Sequence, residues 1–404
     1  MTASSDTPRK GPLSHIRVLD LSRVLAGPWT GQLLADLGAD VIKVERPGVG
    51  DDTRGWGPPF LKRPDGGSTS DAAYFLAVNR GKRSITADLA TPRGQRIARA
   101  LAAKSDVLLE NFKVGTLAKF GLSYDDLKIV NPGLIYCSIT GFGQTGPKRD
   151  HPAYDFMMQA MSGLMSVTGQ RDDMPGGGPQ KVGVPIVDIM TGMYAAVAVL
   201  AAVARRDQTG QGDYVDIGML DVAVSSLANQ AMNYLMTDTA PRRNGNAHPN
   251  IQPQDIFATA DGHIALAVGN DGQFAKLCEV IGQPDLAADP QFQTNDARVR
   301  HSATLSPLLR AIFLQRETAV WAGQLEAAGV PAGPIRNIQQ VFSDPQVIHR
   351  GMLMTLPHAT AGDISMVNSP MRFTNAPLSP GPAPPVLGQH SREVLAELGL
   401  TEDE

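Results

Sequence analysis

The sequence predicts an α/β protein: a large Rossmann-like domain on a mostly parallel sheet, joined to a smaller α+β domain. Three observations predict it. First, a compact βαβ unit lies near the start. "IRVLDLS" (Ile16 to Ser22) reads as an apolar strand, "GPWTGQLLADLG" as a helix with Pro28 in its first turn and Gly38 at its end, and "DVIKVE" (Asp40 to Glu45) as a second strand. Second, strands and helices keep alternating. "RSITADL" (Arg83 to Leu89), "DVLLENF" (Asp106 to Phe112), "LIYCSITGF" (Leu134 to Phe142) and "TGQGDYVDIGML" read as strands, with helical "PRGQRIARALAAKS" between the first two. That alternation implies parallel strands covered on both faces. Third, the texture changes after "DVAVSSLANQAMNYLM", which reads as one long amphipathic helix. "TDTAPRRNGNAHPNIQPQDIF" is rich in Asn, Pro, Gly and Arg and reads as a linker opening a second unit.

These signals assign residues 1–234 to the large domain, completed by 330–404, and residues 235–329 to the small one. Helices are expected at "DGQFAKLCEVIG", "ETAVWAGQLEAAG" and "SREVLAELG", while "PLSPGPAPPVLGQH" is too rich in proline for regular structure. No G-x-G-x-x-G follows the first strand, so a dinucleotide is not indicated.

A chain of 404 residues, 42% hydrophobic and 19% charged, is long enough for large cores. Its net charge of -4 offers no basic field for nucleic acid. "MTASSDTPRKGPLSH" lacks an apolar leader and the run Met193 to Val203 is too short to cross a bilayer, so a cytoplasmic protein without a membrane partner is expected. Cys137 and Cys278 read as reduced core residues. The eight histidines show no ligand spacing, and no metal site is expected.

Candidate chemistry centres on "KVGVPIVDIMTGMYAAVAVL" (Lys181 to Leu200), which puts Asp188 at the mouth of an apolar helix read as Ile189 to Arg206. Two readings stand. Asp188 is a favoured N-cap, or it is a carboxylate held near a helix dipole, as a covalent nucleophile requires. The loop "SRVLAGPW" (Ser22 to Trp29) leaves a strand at its carboxyl end, where doubly wound sheets bind ligands, although such loops also serve as plain connectors. Arg46, Arg54, Arg80, Lys82 and Arg83 suit phosphates or simply form a solvated basic face. "MPGGGPQKVGVPIVD" and "RRNGNAHPN", the latter with His248, are flexible segments able to close over a site or to remain surface loops. No G-x-S-x-G elbow and no local catalytic cysteine signature occurs, which disfavours serine and thiol acyl transfer.

Several segments together resemble the class III, formyl-CoA transferase-like (CaiB/BaiF) coenzyme A transferases over nearly the whole chain. They are "VLDLSRVLAGPW", "LGADVIKVERPGVGDDTRGWGPPF", "NRGKRSI", "LLENFKVGTL", "GLSYDDL", "IYCSITGFGQTGP", "AYDFMMQAMSGLMSVTG" and "VGVPIVDIMTGMYAA". Within the family, "GNAHPNIQP", "GVPAGPI", "DPQVIHRGM" and "PPVLGQH" most resemble the succinyl-CoA:glutarate branch.

The resemblance implies that Asp188 is the nucleophile. An unperturbed carboxylate, with a pKa of about 3.9, is ionised at neutral pH and needs no general base. The implied cycle runs through an aspartyl anhydride and an aspartyl-CoA thioester, with oxyanions met by backbone N–H groups of a Gly-rich loop and water excluded. Acyl-CoA is a substrate here, and no tightly bound cofactor is implied. For CoA the resemblance implies Arg46 at the nucleotide end, Arg80, Lys82, Arg83 and Lys113 as further phosphate contacts, and Tyr154 along the pantetheine route. Leu25, Ala26 and Gly27 would approach the thioester; Leu25 replaces a glutamine of formyl-CoA transferase, which argues against oxalate. Arg23 and His248 are candidates for the distal carboxylate of a dicarboxylate acceptor. The family also implies an interlocked homodimer with active sites near the interface.

Two rival readings remain at this level. An α-methylacyl-CoA racemase shares the aspartate but pairs it with a histidine, and "PAYDFMMQ" has Tyr154 in that place. A non-catalytic CoA-binding protein could use the same scaffold.

Overall fold

The computed structural model describes residues 11–400, so the first ten residues of the polar amino-terminal segment lie outside it. The chain forms two compact units. One comprises the residues up to 163, 182–228 and those from 345 on; the other comprises Leu164–Lys181 and Asn229–Asp344.

The first unit is built on six strands: β1 (Arg17–Asp20), β2 (Asp40–Glu45), β3 (Lys82–Thr86), β4 (Val107–Glu110), β5 (Ile135–Thr140) and β6 (Asp213–Gly218). All pairings are parallel and the spatial order is β3-β2-β1-β4-β5-β6, the doubly wound order of a Rossmann sheet. Both faces of the sheet are covered, so apolar residues of the strands point to a core on either side. Val18, Val41, Leu109 and Cys137 face one core; their chain neighbours Leu19, Ile42, Leu108 and Tyr136 face the other.

The helices of this unit include α1 (Ala26–Asp36), α2 (Pro92–Ala103), α3 (Asp155–Met161) and α4 (Ile186–Thr209). Ala26 and Leu34 of α1 share the first core with Ala195 and Val199 of α4, whereas Ile97 and Leu101 of α2 fill the second with Val394 of the carboxyl-terminal helix Ser391–Glu397. That helix is tied to the β3 edge by Arg83, which pairs with Glu393 at 2.8 Å and Glu397 at 2.5 Å.

Helix α1 lies unusually close to α4. A Cβ on Gly192 would stand 2.7 Å from the Ala26 carbonyl oxygen and 2.9 Å from the Trp29 ring. Thr30 seals the contact by donating its hydroxyl to the Gly192 carbonyl at 3.2 Å. Two features of this region differ from the sequence-based expectation. Helix α4 begins at Ile186 with Pro185 as its N-cap residue, so Asp188 sits inside the first turn and does not cap it. The helix is also long and apolar enough to span a membrane by composition, because its apolar character extends beyond Met193–Val203; yet half of that apolar window is buried inside the protein.

The expected long helix after β6 is broken into Met219–Ser225 and Ala228–Thr237. Ser226 returns its hydroxyl to the Val222 carbonyl at 2.7 Å, and Ala228 takes a positive φ of 44°. The break falls where the chain passes from the first unit to the second.

The second unit has an antiparallel three-stranded sheet, Gln254–Ala258, His263–Ala267 and Ala332–Pro334, over a core of Phe257, Phe274, Phe313 and Trp321. It extends past the expected 235–329 for two reasons. Ala332–Pro334 is an edge strand of its sheet, and Leu164–Lys181 is bound into it, with the Gly245 N–H donating to Gly169 and Arg243 paired with Asp172. Of the two flexible segments noted in the sequence, "RRNGNAHPN" and the part of "MPGGGPQKVGVPIVD" up to Lys181 belong to this unit, whereas Val182–Asp188 belong to the first.

Gly192→Ala is expected to destabilise the protein by about 1–3 kcal/mol through overpacking of α1 on α4, read as a lower urea midpoint at unchanged slope.

Candidate active site

In an open parallel sheet, ligands bind beyond the carboxyl ends of the strands where the strand order reverses. Here that point lies between β1 and β4. The loops leaving these strands, through residues 23–25 and 111–114, line a cavity of about 200 Å³ together with Ala26, Tyr154 and Asp188. A neighbouring cavity of about 360 Å³ is walled by Val44, Ala87, Leu89, Phe112 and Phe120, with Arg46 on its rim. Arg23 and Phe112 belong to both cavities and form the partition; the Arg23 guanidinium lies 5.5 Å from the Phe112 ring centre.

Asp188 is 9% exposed. Its carboxylate faces the backbone N–H of Ala26, the first residue of α1, so the amino-terminal dipole of that helix points at it. A second carboxylate stands close by. Asp155, in the first turn of α3, accepts the backbone N–H groups of Val187 at 2.8 Å and Asp188 at 3.3 Å, and thus caps α4 from outside. Gln159 steadies it, donating to Asp155 at 2.6 Å and accepting the Val182 N–H at 2.9 Å. Burial, and next the charge of Asp155, raise the Asp188 pKa to about 7; the Ala26 N–H opposes the rise. The expectation of an unperturbed carboxylate is corrected accordingly: Asp188 titrates near neutrality. Tyr74 lies in the field of both carboxylates, and burial first, then their charges, push its hydroxyl up to about 12. The Trp56 ring meets Tyr74 edge-on at 5.3 Å.

Of the residues singled out in the sequence, Arg23, Leu25, Ala26, Lys113, Tyr154 and Asp188 line the smaller cavity, and Arg46 lines the larger. Gly27 is pressed against Ser22, where a Cβ would come within 2.3 Å, so no other residue fits. His248 lies in the second unit, where its Nδ1 accepts the Asn250 N–H at 3.1 Å and shapes a turn. The basic cluster needs correction. Arg80 pairs with Asp36 at 2.6 Å, Lys82 with Asp20 at 2.9 Å and Arg83 with Asp40 at 2.6 Å, and the three side chains are 4%, 0% and 10% exposed. Cations this deeply desolvated keep their carboxylates, since removing a partner leaves an uncompensated buried charge. All three are held in ion pairs within the fold, and none of them lines either cavity. Asp155, Tyr74 and Asn111 went unremarked in the sequence; an acid in the first turn of α3 was the one local sign.

A carboxylate at a helix amino terminus, in a crevice beside a second cavity with apolar walls and an arginine rim, suits covalent acyl transfer from a nucleotide-bearing thioester. Comparison with known proteins gives the family. The family model for CoA-transferase family III matches residues 13–391. This chain belongs to CoA-transferase family III. It is 50% identical over 394 residues to a succinate–glutarate CoA-transferase of Agrobacterium fabrum, covering 98% of this chain and 97% of that protein. It is 43% identical to the succinyl-CoA:glutarate CoA-transferase of Mus musculus, covering 98% of this chain and 88% of that one. Among solved structures, a CaiB/BaiF family protein from Brucella suis superposes with a TM-score of 0.84 at 47% identity, covering 96% of this chain and all of that one. The chain is an acyl-CoA-using transferase, and CoA thioesters are its substrates.

The raised pKa has a consequence for stability. A carboxyl that binds its proton more tightly when folded loses stability as pH rises from the unfolded value of 3.8 towards the folded value of about 7. Above that window the ionised group costs on the order of 4 kcal/mol. Asp188→Asn is therefore expected to melt at a higher temperature than the wild type at pH 8, with the gap closing as pH falls to about 4.

Proposed function

We propose that this transferase moves CoA from succinyl-CoA to a small dicarboxylate, glutarate foremost, through covalent intermediates on Asp188. The observation that carries this reading is the placement of Asp188: a buried carboxylate at the amino terminus of α1, in the crevice where the strand order reverses. The similarity to succinate–glutarate transferases supports the choice of acids.

The nucleotide end of CoA fits the larger cavity, with Arg46 for phosphate and Val44, Ala87, Leu89 and Phe120 against the base. The pantetheine arm passes the Arg23–Phe112 partition and Tyr154 towards Asp188. Asp188 attacks the thioester carbonyl, expels CoA thiolate and forms a mixed anhydride. The thiolate attacks the aspartyl Cγ, and succinate departs carrying an oxygen that belonged to Asp188. Glutarate attacks the resulting aspartyl-CoA, releasing thiolate; the thiolate attacks the glutaryl carbonyl, gives glutaryl-CoA and restores the carboxylate. Thioester energy is kept throughout.

Whenever Cγ is attacked, negative charge grows on an Asp188 oxygen. The Ala26 N–H and the α1 dipole face this carboxylate, and a donor of this kind contributes on the order of 100-fold in rate. A pKa near 7 makes the carboxylate more basic, and so more nucleophilic, than an exposed aspartate. Arg23, Lys113 and Arg149 on the cavity wall supply positive field for the second carboxylate of the acceptor. For assembly, Met193, Tyr194 and Val197 form an exposed apolar stripe on α4 that supports a homodimer, interlocked as the family resemblance implies.

Two measurements test this. Wild-type protein mixed with succinyl-CoA is expected to gain the mass of CoA on the peptide holding Asp188, while Asp188→Asn gains none and transfers nothing; an adduct elsewhere contradicts the reading. In an acceptor screen, glutarate is expected to outrank oxalate and the monocarboxylates, and kcat/KM is expected to fall below about pH 7 as Asp188 protonates.

A further inference from the structure

The loop between β1 and α1 holds a β-branched residue in a conformation that favours glycine: Val24 has φ +72°. Such an outlier persists only where its surroundings over-determine it. Here they do. Asn111 binds both backbone groups of Arg23, accepting its N–H at 2.8 Å and donating to its carbonyl at 2.6 Å. Asp51 accepts the Val24 N–H at 3.2 Å. Lys43 donates to the Ser22 carbonyl at 2.7 Å and pairs with Asp51 at 2.9 Å, while Lys82 donates to the Pro28 carbonyl at 2.8 Å.

The clamps come from four places: the loop after β4, the loop after β2, and strands β2 and β3. Together they fix the backbone on both sides of Ala26, whose N–H faces Asp188. Asp20 completes the frame, accepting the Ser22 N–H at 2.9 Å and pairing with Lys82 at 2.9 Å. Selection for stability alone would place glycine at position 24, where φ is positive at no steric cost.

We infer that Val24 is held strained to keep the Ala26 N–H aimed at Asp188, and that Asn111 and Asp51 are positioning residues for acyl transfer. This rests on the reading of Asp188 as nucleophile. Valine stiffens the loop, whereas glycine would let it explore poses in which the N–H points elsewhere. Buried Lys43 and Lys82 anchor the frame to the sheet.

The test compares Val24→Gly and Asn111→Ala with wild type. Val24→Gly is expected to melt no lower than wild type, to keep its KM for succinyl-CoA within about threefold, and to lose kcat by on the order of 100-fold. Asn111→Ala is expected to lose kcat in the same direction. A Val24→Gly protein with wild-type kcat, or one whose loss of kcat matches a loss of folded protein, overturns the inference. Amide hydrogen exchange of the segment 22–30 is read on the same proteins and does not depend on activity. Faster exchange at Ala26 in both variants supports the inference, and unchanged exchange overturns it. Failure of wild type to form the Asp188 adduct would instead count against the functional reading.

Discussion

The close packing of two helix ends governs this protein. The amino terminus of α1 meets the first turn of α4, and the meeting brings a backbone N–H to a buried carboxylate. Neither helix could do this alone. The contact requires glycine at 192 so that α1 can approach, glycine at 27 so that the loop can fold onto Ser22, and the hydroxyl of Thr30 to bond across. The parallel sheet sets both helix ends at the same edge, which is where a crevice opens when the strand order reverses.

Electrostatics divides the charged residues of the first unit into two populations. One is buried and self-neutralising: Asp20 with Lys82, Lys43 with Asp51, Asp36 with Arg80. These pairs spend their charge on geometry, holding loops and strand ends in register. The other population faces cavities, where Arg23, Arg46 and Lys113 remain accessible to a ligand. Asp188 belongs to neither. It is buried next to another carboxylate and opposite a helix end, with no cation beside it among the described residues; such an arrangement costs stability and marks a candidate functional site.

Much of this was legible in the sequence. Apolar strand runs alternating with helices announced the parallel sheet, and β2 falls at the residues read for it. Asp188 stood out because a charge at the mouth of an apolar helix needs a reason. What stayed hidden was pairing across long separations. Arg80, Lys82 and Arg83 look like a phosphate cluster until Asp36, Asp20 and Asp40, forty or more residues earlier, fold onto them. Asp155 caps a helix that begins thirty-one residues later, and Asn111 clamps Arg23 from eighty-eight residues away. A polar side chain in a sequence does not declare its partner, so the positioning residues surfaced only with the fold. The true helix start at Ile186 was obscured for a local reason: Pro185 offers no capping side chain, and the cap arrives from α3.

If Asp188 is the nucleophile, it exchanges an oxygen atom with its substrates in every turnover. Glutarate labelled with heavy oxygen in its carboxylates, used in a single turnover with enzyme already carrying CoA, tests this most directly. One heavy oxygen is expected to stay in the peptide containing Asp188, because the thiolate cleaves the second anhydride at the glutaryl carbonyl. On a second addition of succinyl-CoA, that atom should leave in the released succinate. Label confined to glutaryl-CoA and unreacted glutarate, with none passing through residue 188, would contradict covalent transfer by this carboxylate.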